Sequence, residues 1–136
     1  MAYNTQAVKA EHCTPREAKP LPDETVLRTM LFDFYGELLT DKQREYFDLH
    51  YNADLSLAEI AERSGISRQG VWDIIRRAEA TLRETEEKTG LVQRYTVQRR
   101  TLADIERRLR ALEKRTDGET RELVRQIEKQ VAELKG

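Results

Sequence analysis

Several residue types are scarce in this chain of 136 residues, and each scarcity excludes a class of protein. The single cysteine, Cys13, excludes an internal disulfide or a CxxC metal knuckle, and two histidines are too few for a zinc site. No run approaches the roughly 18 consecutive apolar residues of a membrane-spanning helix, and the first residues resemble no export signal. Six glycines and three prolines cannot supply the dense turns of a β-sandwich. We therefore expect an all-α cytoplasmic protein without metal, cofactor or membrane insertion.

Net charge is also scarce, because 24 basic residues nearly balance 25 acidic ones. The segments differ, however. Residues 23–56 carry three basic and eight acidic groups, whereas residues 91–136 carry twelve basic and eight acidic groups. Any preference for a polyanionic partner must therefore come from local patches, not from the field of the whole chain.

The chain divides into three predicted parts. Residues 1–22 lack apolar periodicity and predict a flexible arm. Residues 23–95 predict a four-helix domain, in which Gly36 weakens the first helix without ending it. Polar tetrads typical of helix starts mark the later helices, namely the capping boxes Thr40–Gln43 and Ser56–Glu59 and the cap Ser67.

Residues 96–136 predict a charged helical extension. Two sets of apolar residues follow 3-4-3 spacing, namely Leu102, Ile105, Leu109, Leu112 and Val124, Ile127, Val131, Leu134. The segment Thr116–Glu119 interrupts the register between them. This pattern fits either a helical hairpin or a coiled coil with an interruption.

The most specific motif lies between Leu57 and Arg77, in LAEIAERSGISRQGVWDIIRR. Its spacing is that of a helix-turn-helix, with a small residue where the helices cross (Ala61), a glycine for the positive φ of the turn (Gly65) and apolar residues that hold the second helix to the core (Val71 and Ile74). We expect Ile60 and Ile66 to fill the space behind the turn. A plain helical hairpin is the alternative interpretation.

A helix-turn-helix would contact nucleic acid through the beginning of its second helix. The candidate nucleic-acid-binding residues are Ser67, Arg68, Gln69, Trp72, Arg76 and Arg77. The alternative is that these are ordinary polar residues on a solvated helix face. Asp73 beside phosphate and Gly70 at a groove-facing position both count against efficient DNA recognition.

The segment LLTDKQREYFDLHYNADLSLAEIAERSGISRQGVWDIIRRAE resembles the YlxM family of small bacterial helix-turn-helix proteins, over about Leu27 to Tyr95. The resemblance implies a fold similar to region 4 of bacterial sigma factors and a DNA-binding regulatory role. It also implies an association with the signal recognition particle pathway, because family genes commonly lie beside those for the GTPase Ffh or its receptor FtsY. Arg68 matches a basic DNA-facing position of sigma region 4, whereas Gln69, Trp72 and Asp73 differ from that pattern.

Two functional hypotheses and one exclusion follow. The first is a regulator that binds DNA or the particle's RNA. A secondary basic stretch, which begins just before the extension, would add phosphate affinity; it comprises Arg94, Arg99, Arg100, Arg107, Arg108 and Arg110. Intrahelical ion pairs are the alternative explanation of that stretch. The second hypothesis is a protein-interaction module that binds Ffh, FtsY or another copy of the chain, and we predict a homodimer. No catalytic motif is present, so we expect no enzyme.

Overall fold

The computed structural model describes residues 23–136, and the predicted arm of residues 1–22, with Cys13, lies outside them. The described chain is all-α, as the sequence predicts, and contains no strand in this range. Its helices are α1 (Glu24–Tyr35), a 3-10 turn (Gly36–Leu38), α2 (Asp41–Tyr51), α3 (Leu57–Ser64), α4 (Arg68–Thr89), α5 (Leu91–Glu113) and α6 (Gly118–Lys135). In this part of the chain, no helix has the length and hydropathy needed to cross a membrane.

Local capping chemistry defines the beginnings of three helices, as predicted. The Thr40 hydroxyl accepts the Gln43 N–H at 3.3 Å while the Gln43 side chain accepts the Thr40 N–H at 3.1 Å. Ser56 and Glu59 form the same reciprocal pair at 3.1 and 2.9 Å. Such boxes satisfy backbone N–H groups that have no partner inside a helix, so they determine where the helix starts.

The prediction that α1 continues through Gly36 is wrong. The helix ends at Tyr35, and Gly36 begins a 3-10 turn that leads to the extended backbone of Leu39 and the cap at Thr40. Gly36 is buried, and a Cβ at this position would lie 3.6 Å from the Phe32 ring. The chain leaves the helix here because α2 must fold back against the same core.

Helix α4 is the central element of the core. Its residues Val71, Ile75, Ala78 and Leu82 are fully buried against α1, α2 and α3. The largest fully buried side chain, Phe47 of α2, stacks on Phe32 with ring centroids 5.0 Å apart. The apolar stripe of α4 therefore orients the other three helices, and it fixes which face of α4 remains exposed.

A polar network joins α1, α2 and α4 at the edge of this core. The Glu79 carboxylate accepts hydrogen bonds from Arg83 at 2.8 Å and from the Tyr51 hydroxyl at 3.3 Å, and Arg28 lies 3.5 Å away. Burial favours the neutral carboxyl and would raise the pKa of Glu79. The Arg83 hydrogen bond and the charges of Arg28 and Arg83 outweigh burial, so the pKa of Glu79 is lowered. The Arg28 guanidinium also lies 4.3 Å from the centroid of the Tyr51 ring.

Helices α5 and α6 form an antiparallel hairpin within one chain. Lys135 pairs with Glu106 at 2.6 Å, Arg125 pairs with Glu113 at 2.7 Å, and Arg99 donates to the Lys135 carbonyl. Leu102, Val124 and Val131 are buried between the two helices. Helix α5 runs without a break across residues 95 and 96, so the domain and the extension share one helix.

Candidate nucleic-acid interface

The turn between α3 and α4 has the geometry that a helix-turn-helix requires. Gly65 ends α3 in the left-handed conformation, with φ 68°, and its N–H bonds to the Ala61 carbonyl at 2.9 Å. A Cβ at Gly65 would meet no atom within 4 Å, so the positive φ alone explains the glycine. Ser67 then caps α4 by accepting the Gly70 N–H at 3.0 Å.

Apolar side chains hold this turn against the core, but not every residue that was predicted to do so is buried. Ile60, Ala61 and Val71 are buried, as expected for the crossing point of the two helices. Ile66 was expected behind the turn, but 37% of its surface is exposed. Gly70 is half-buried beside the cap, where a Cβ would lie 3.2 Å from the Ser67 hydroxyl, so it does not occupy an open groove-facing position.

The first turn of α4 presents polar side chains to solvent. Ser67, Arg68 and Gln69 are exposed, and Arg68 and Gln69 border a surface depression with Leu57 and Trp72. The N–H groups at the start of a helix point outwards and attract phosphate, apart from the one that Ser67 satisfies. This end of α4 can therefore meet an anionic backbone.

Trp72 differs from the other candidates because it is half-buried. It packs against the core, and its ring lies 6.4 Å from the His50 ring in an edge-on arrangement. The His50 Nδ1 is 2.9 Å from the Leu55 carbonyl, which ties the end of α2 to the loop before α3. Trp72 thus supports the position of α4, and only part of its ring is available to a ligand.

Over residues 69–77, the exposed face of α4 combines cations with one acidic residue. At about 100° per residue, Gln69, Asp73, Arg76 and Arg77 lie opposite the buried stripe, with Asp73 near the centre of the face. Asp73 accepts a hydrogen bond from the Gln69 amide nitrogen at 3.0 Å. Within residues 23–136, the exposed side chains of Arg68, Arg76 and Arg77 form no ion pair, so their charges are available to a ligand.

One candidate cation was not predicted from the sequence. Arg63, in the last turn of α3, is exposed and forms no ion pair with any residue that the structure describes. In helix-turn-helix proteins the first helix crosses the nucleic-acid backbone, so a cation on α3 can add a phosphate contact. The position of Arg63 in the first helix of the helix-turn-helix motif is the sequence signal that could have identified it.

The secondary basic stretch lies on α5, which packs on α1 and α6 and is not part of the helix-turn-helix. Arg94 donates to the Thr89 carbonyl at 2.9 Å, and Arg99 donates to the carbonyl of Lys135. Arg107 and Arg108 both pair with Asp104 one turn away. Arg100 also has an interaction partner, and Arg110 lies among the charged residues between α5 and α6. Five of these six arginines, all except Arg110, therefore have an interaction partner within the described chain.

The residues that could bind a metal do not converge in the described structure. Between residues 23 and 136, no three His, Cys, Asp or Glu side chains are grouped to hold an ion. The exposed face of α4 and the turn before it have the arrangement of a helix-turn-helix protein.

Comparison with known sequences agrees with this class. The family described as "Putative helix-turn-helix protein, YlxM / p13 like" matches residues 23–133, and the chain belongs to this family, UPF0122. A UPF0122 protein of Thermoanaerobacter sp. (strain X514) is 43% identical over 115 residues, which are 84% of this chain and 98% of the relative. A UPF0122 protein of Bacillus cereus (strain AH187) is 45% identical over 107 residues, which are 79% of this chain and 96% of the relative.

A third relative is more similar over a shorter stretch. A UPF0122 protein of Caldanaerobacter subterraneus subsp. tengcongensis is 53% identical over 75 residues, which are 55% of this chain and 64% of the relative. The family match begins at residue 23, where the described structure also begins.

Proposed function

We propose that this protein is a non-enzymatic cytoplasmic regulator that binds nucleic acid through its helix-turn-helix. The observation that carries the proposal is the exposed face of α4, where Arg68, Arg76 and Arg77 form no ion pair in the described chain beside a capped helix N-terminus. Membership of a helix-turn-helix family supports it. A phosphate backbone attracts arginine side chains that have no partner within the protein, and an α-helix fits the major groove that the backbone borders.

In the proposed complex, the first turn of α4 enters a major groove. Arg68 and Gln69 then lie near base edges, where arginine favours guanine and glutamine favours adenine. Arg76 and Arg77, two to three turns further along, contact phosphates. Asp73 lowers the affinity for any duplex, because its carboxylate is repelled by nearby phosphates. Asp73 also accepts a hydrogen bond from the Gln69 side chain, so that amide group is less free to bond to a base.

The test is fluorescence-anisotropy binding to a random DNA duplex at several salt concentrations. Each phosphate contact contributes about 0.9 to the slope of log K against log salt, so the Arg76→Ala/Arg77→Ala variant should lose up to about 1.8. The matched control is Arg107→Ala, which removes an exposed arginine from α5. An unchanged slope in the double variant would remove α4 from the mechanism, and equal losses in the control would indicate only diffuse charge.

The nucleic acid itself is a second part of the proposal. The resemblance to the YlxM family favours the signal recognition particle pathway, with either DNA or the particle's RNA as ligand. The same binding assay, repeated with the particle's RNA and with an unrelated structured RNA of matched length, distinguishes a DNA ligand from an RNA ligand. Tighter binding of the particle RNA that depends on Arg68 supports an RNA ligand, whereas equal binding of both RNAs and tighter binding of DNA supports a DNA regulator.

A second candidate function is a protein-interaction module that binds Ffh, FtsY or another copy of the chain. It is favoured by exposed apolar side chains on α1, the 3-10 turn and α5. Phe34 of α1 contacts Tyr95 of α5 with ring centroids 5.2 Å apart, and Leu38 of the 3-10 turn is 62% exposed. Calorimetric titration with purified Ffh and with purified FtsY tests whether either GTPase binds the chain. The Leu38→Glu and Phe34→Ala variants should then lose binding, and heat from neither GTPase would exclude both as direct partners.

A further inference from the structure

One flank of α4 carries an aromatic ring between two arginines. Arg68, Trp72 and Arg76 are spaced four residues apart, so at about 100° per residue each is turned by only about 40° from the next. The three side chains therefore form a row along the helix, and the two arginines are separated by about 12 Å along its axis. We call Arg68, Trp72 and Arg76 the tryptophan row.

The exposed part of Trp72 offers both a ring surface and a hydrogen-bond donor. Trp72 and the half-buried Leu57 of α3 line the surface depression that Arg68 and Gln69 border, and its volume is about 500 Å³. Sites that hold small ligands have volumes of roughly 300–1,000 Å³. The indole N–H is not buried and forms no hydrogen bond with any residue that the structure describes. An aromatic surface with a donor beside it suits the stacking and hydrogen bonding of a nucleobase.

Both arginines of the tryptophan row are available to phosphate. Arg68 and Arg76 are exposed and form no ion pair within residues 23–136. The next acidic residue along this flank of α4 is Glu79, whose charge is compensated by Arg83 at 2.8 Å and Arg28 at 3.5 Å. The row thus combines an aromatic platform with flanking cations, which is the combination that binds single-stranded nucleic acid.

The position of Asp73 favours a single strand over a duplex on this row. Asp73 is turned by about 100° from Trp72 and lies near the centre of the exposed face, which a duplex covers when the helix enters its major groove. A single strand that follows the tryptophan row lies on one flank of α4, further from this carboxylate. The bases of a duplex also stay stacked on each other, so none of them is available to Trp72.

We infer that the tryptophan row binds an unpaired nucleotide, whose base stacks on Trp72 while the phosphates on either side contact Arg68 and Arg76. The ligand is a single-stranded segment or a loop of RNA or DNA, because a stacked base and two phosphates are common to both. The inference deepens the proposed function and rests on it, since both require α4 to bind nucleic acid.

Intrinsic fluorescence tests the inference directly, because Trp72 is the only tryptophan of the chain. Titration of the full chain with oligothymidylate should quench the tryptophan emission, since a stacked base quenches an indole. An abasic oligomer of the same length carries the same phosphates without bases, so it should bind on the order of tenfold more weakly and leave the emission unchanged. Binding of oligothymidylate without quenching would overturn the inference. Equally strong quenching by the abasic oligomer, or by a fully paired duplex of matched length, would also overturn it.

Two neighbouring arginines test where the strand lies. Arg76→Ala should reduce the slope of log K against log salt for oligothymidylate by about 0.7, which is the contribution of one phosphate of a single strand. Arg77 is turned by about 140° from Trp72, so Arg77→Ala should leave this slope unchanged. Both substitutions should reduce the slope for a duplex. Equal losses of the single-strand slope in the two variants would overturn the placement of the strand on the tryptophan row.

The outcomes separate this inference from the proposed function. Duplex binding that depends on Arg76 and Arg77, with no quenching by oligothymidylate, would overturn the inference and leave the proposed function intact. Binding of neither ligand would overturn both. Oligouridylate of the same length distinguishes the two sources of an unpaired nucleotide: quenching by either oligomer supports the inference, and the tighter one shows whether RNA or DNA is preferred.

Discussion

The junction between α4 and α5 depends on one carboxylate, and its removal gives a quantitative prediction. Gly90 separates the two helices with φ 63° and offers no side chain to cap α5. Glu86 reaches past it: its two carboxylate oxygens accept the N–H groups of Val92 and Gln93 at 3.1 and 3.0 Å. The same carboxylate accepts the Tyr35 hydroxyl of α1 at 2.5 Å. Glu86 therefore acts as a distant cap and also ties α5 to α1.

Glu86→Ala should lower the free energy of unfolding by about 2–3 kcal/mol. Loss of a helix cap costs about 1 kcal/mol, and a hydrogen bond to a charged acceptor contributes about 1.5–3 kcal/mol. The sum is reduced because Glu86 is half-exposed and water can replace it at the two backbone groups. In Glu86→Ala, Tyr35 keeps its hydrogen bond with Thr89, whose hydroxyl lies 2.6 Å away. Tyr35→Phe removes the hydroxyl and both of its hydrogen bonds and should cost about 1–2 kcal/mol.

Urea unfolding of the four proteins in a double-mutant cycle measures these values. We expect a coupling between Tyr35 and Glu86 of about 1 kcal/mol, because each substitution removes the same hydrogen bond. Glu87→Ala, on the exposed side of the same turn, is the control and should change stability by less than about 0.5 kcal/mol. A Glu86→Ala protein as stable as the original, or a coupling near zero, would refute the capping role.

Three further predictions concern the turn, the polar network and the exposed face. Gly65→Ala should destabilise the protein by about 1–2 kcal/mol in urea unfolding, because alanine is strained at φ 68°. Glu79→Gln should cost about 1–2 kcal/mol at pH 7, since it removes the carboxylate that Arg83 and Arg28 both contact and leaves Arg83 only its pair with Glu24. The folded-state pKa of Glu79 is lowered, so this contribution is present above about pH 4.5 and is lost as pH falls through the folded pKa. Asp73→Asn should strengthen binding to a random duplex about three- to fivefold at low salt, because it removes a negative charge facing phosphate.

Each of these has an outcome that contradicts it. Gly65→Asn should be milder than Gly65→Ala, because asparagine tolerates positive φ, and equal losses would show that conformation is not the cause. A stability difference between Glu79→Gln and the original that persists unchanged at pH 3 would contradict the ionised role of Glu79. Weaker duplex binding by Asp73→Asn would show that Asp73 contacts the nucleic acid favourably.

The local features of this fold are readable from the sequence. Thr40, Ser56 and Ser67 were predicted as caps and are caps, because a hydroxyl three residues before a free backbone N–H satisfies it regardless of the rest of the chain. Gly65 was predicted to take a positive φ and does so for the same local reason. The helix-turn-helix, the all-α class and the family membership follow from such short-range patterns and from apolar spacing.

Features that depend on which elements pack together were decided by the tertiary structure. Trp72 and Gly70 are half-buried and Ile66 is exposed, because the angle at which α3 and α4 meet the core determines which side chains reach it. The end of α1 at Tyr35 reflects the return of α2. The distant cap by Glu86 exists only because the left-handed Gly90 redirects the chain between α4 and α5. Spacing identifies an apolar stripe, but only the packed chain shows that half of the stripe on α5 and α6 is buried within the hairpin and half remains exposed, since burial depends on three-dimensional neighbours.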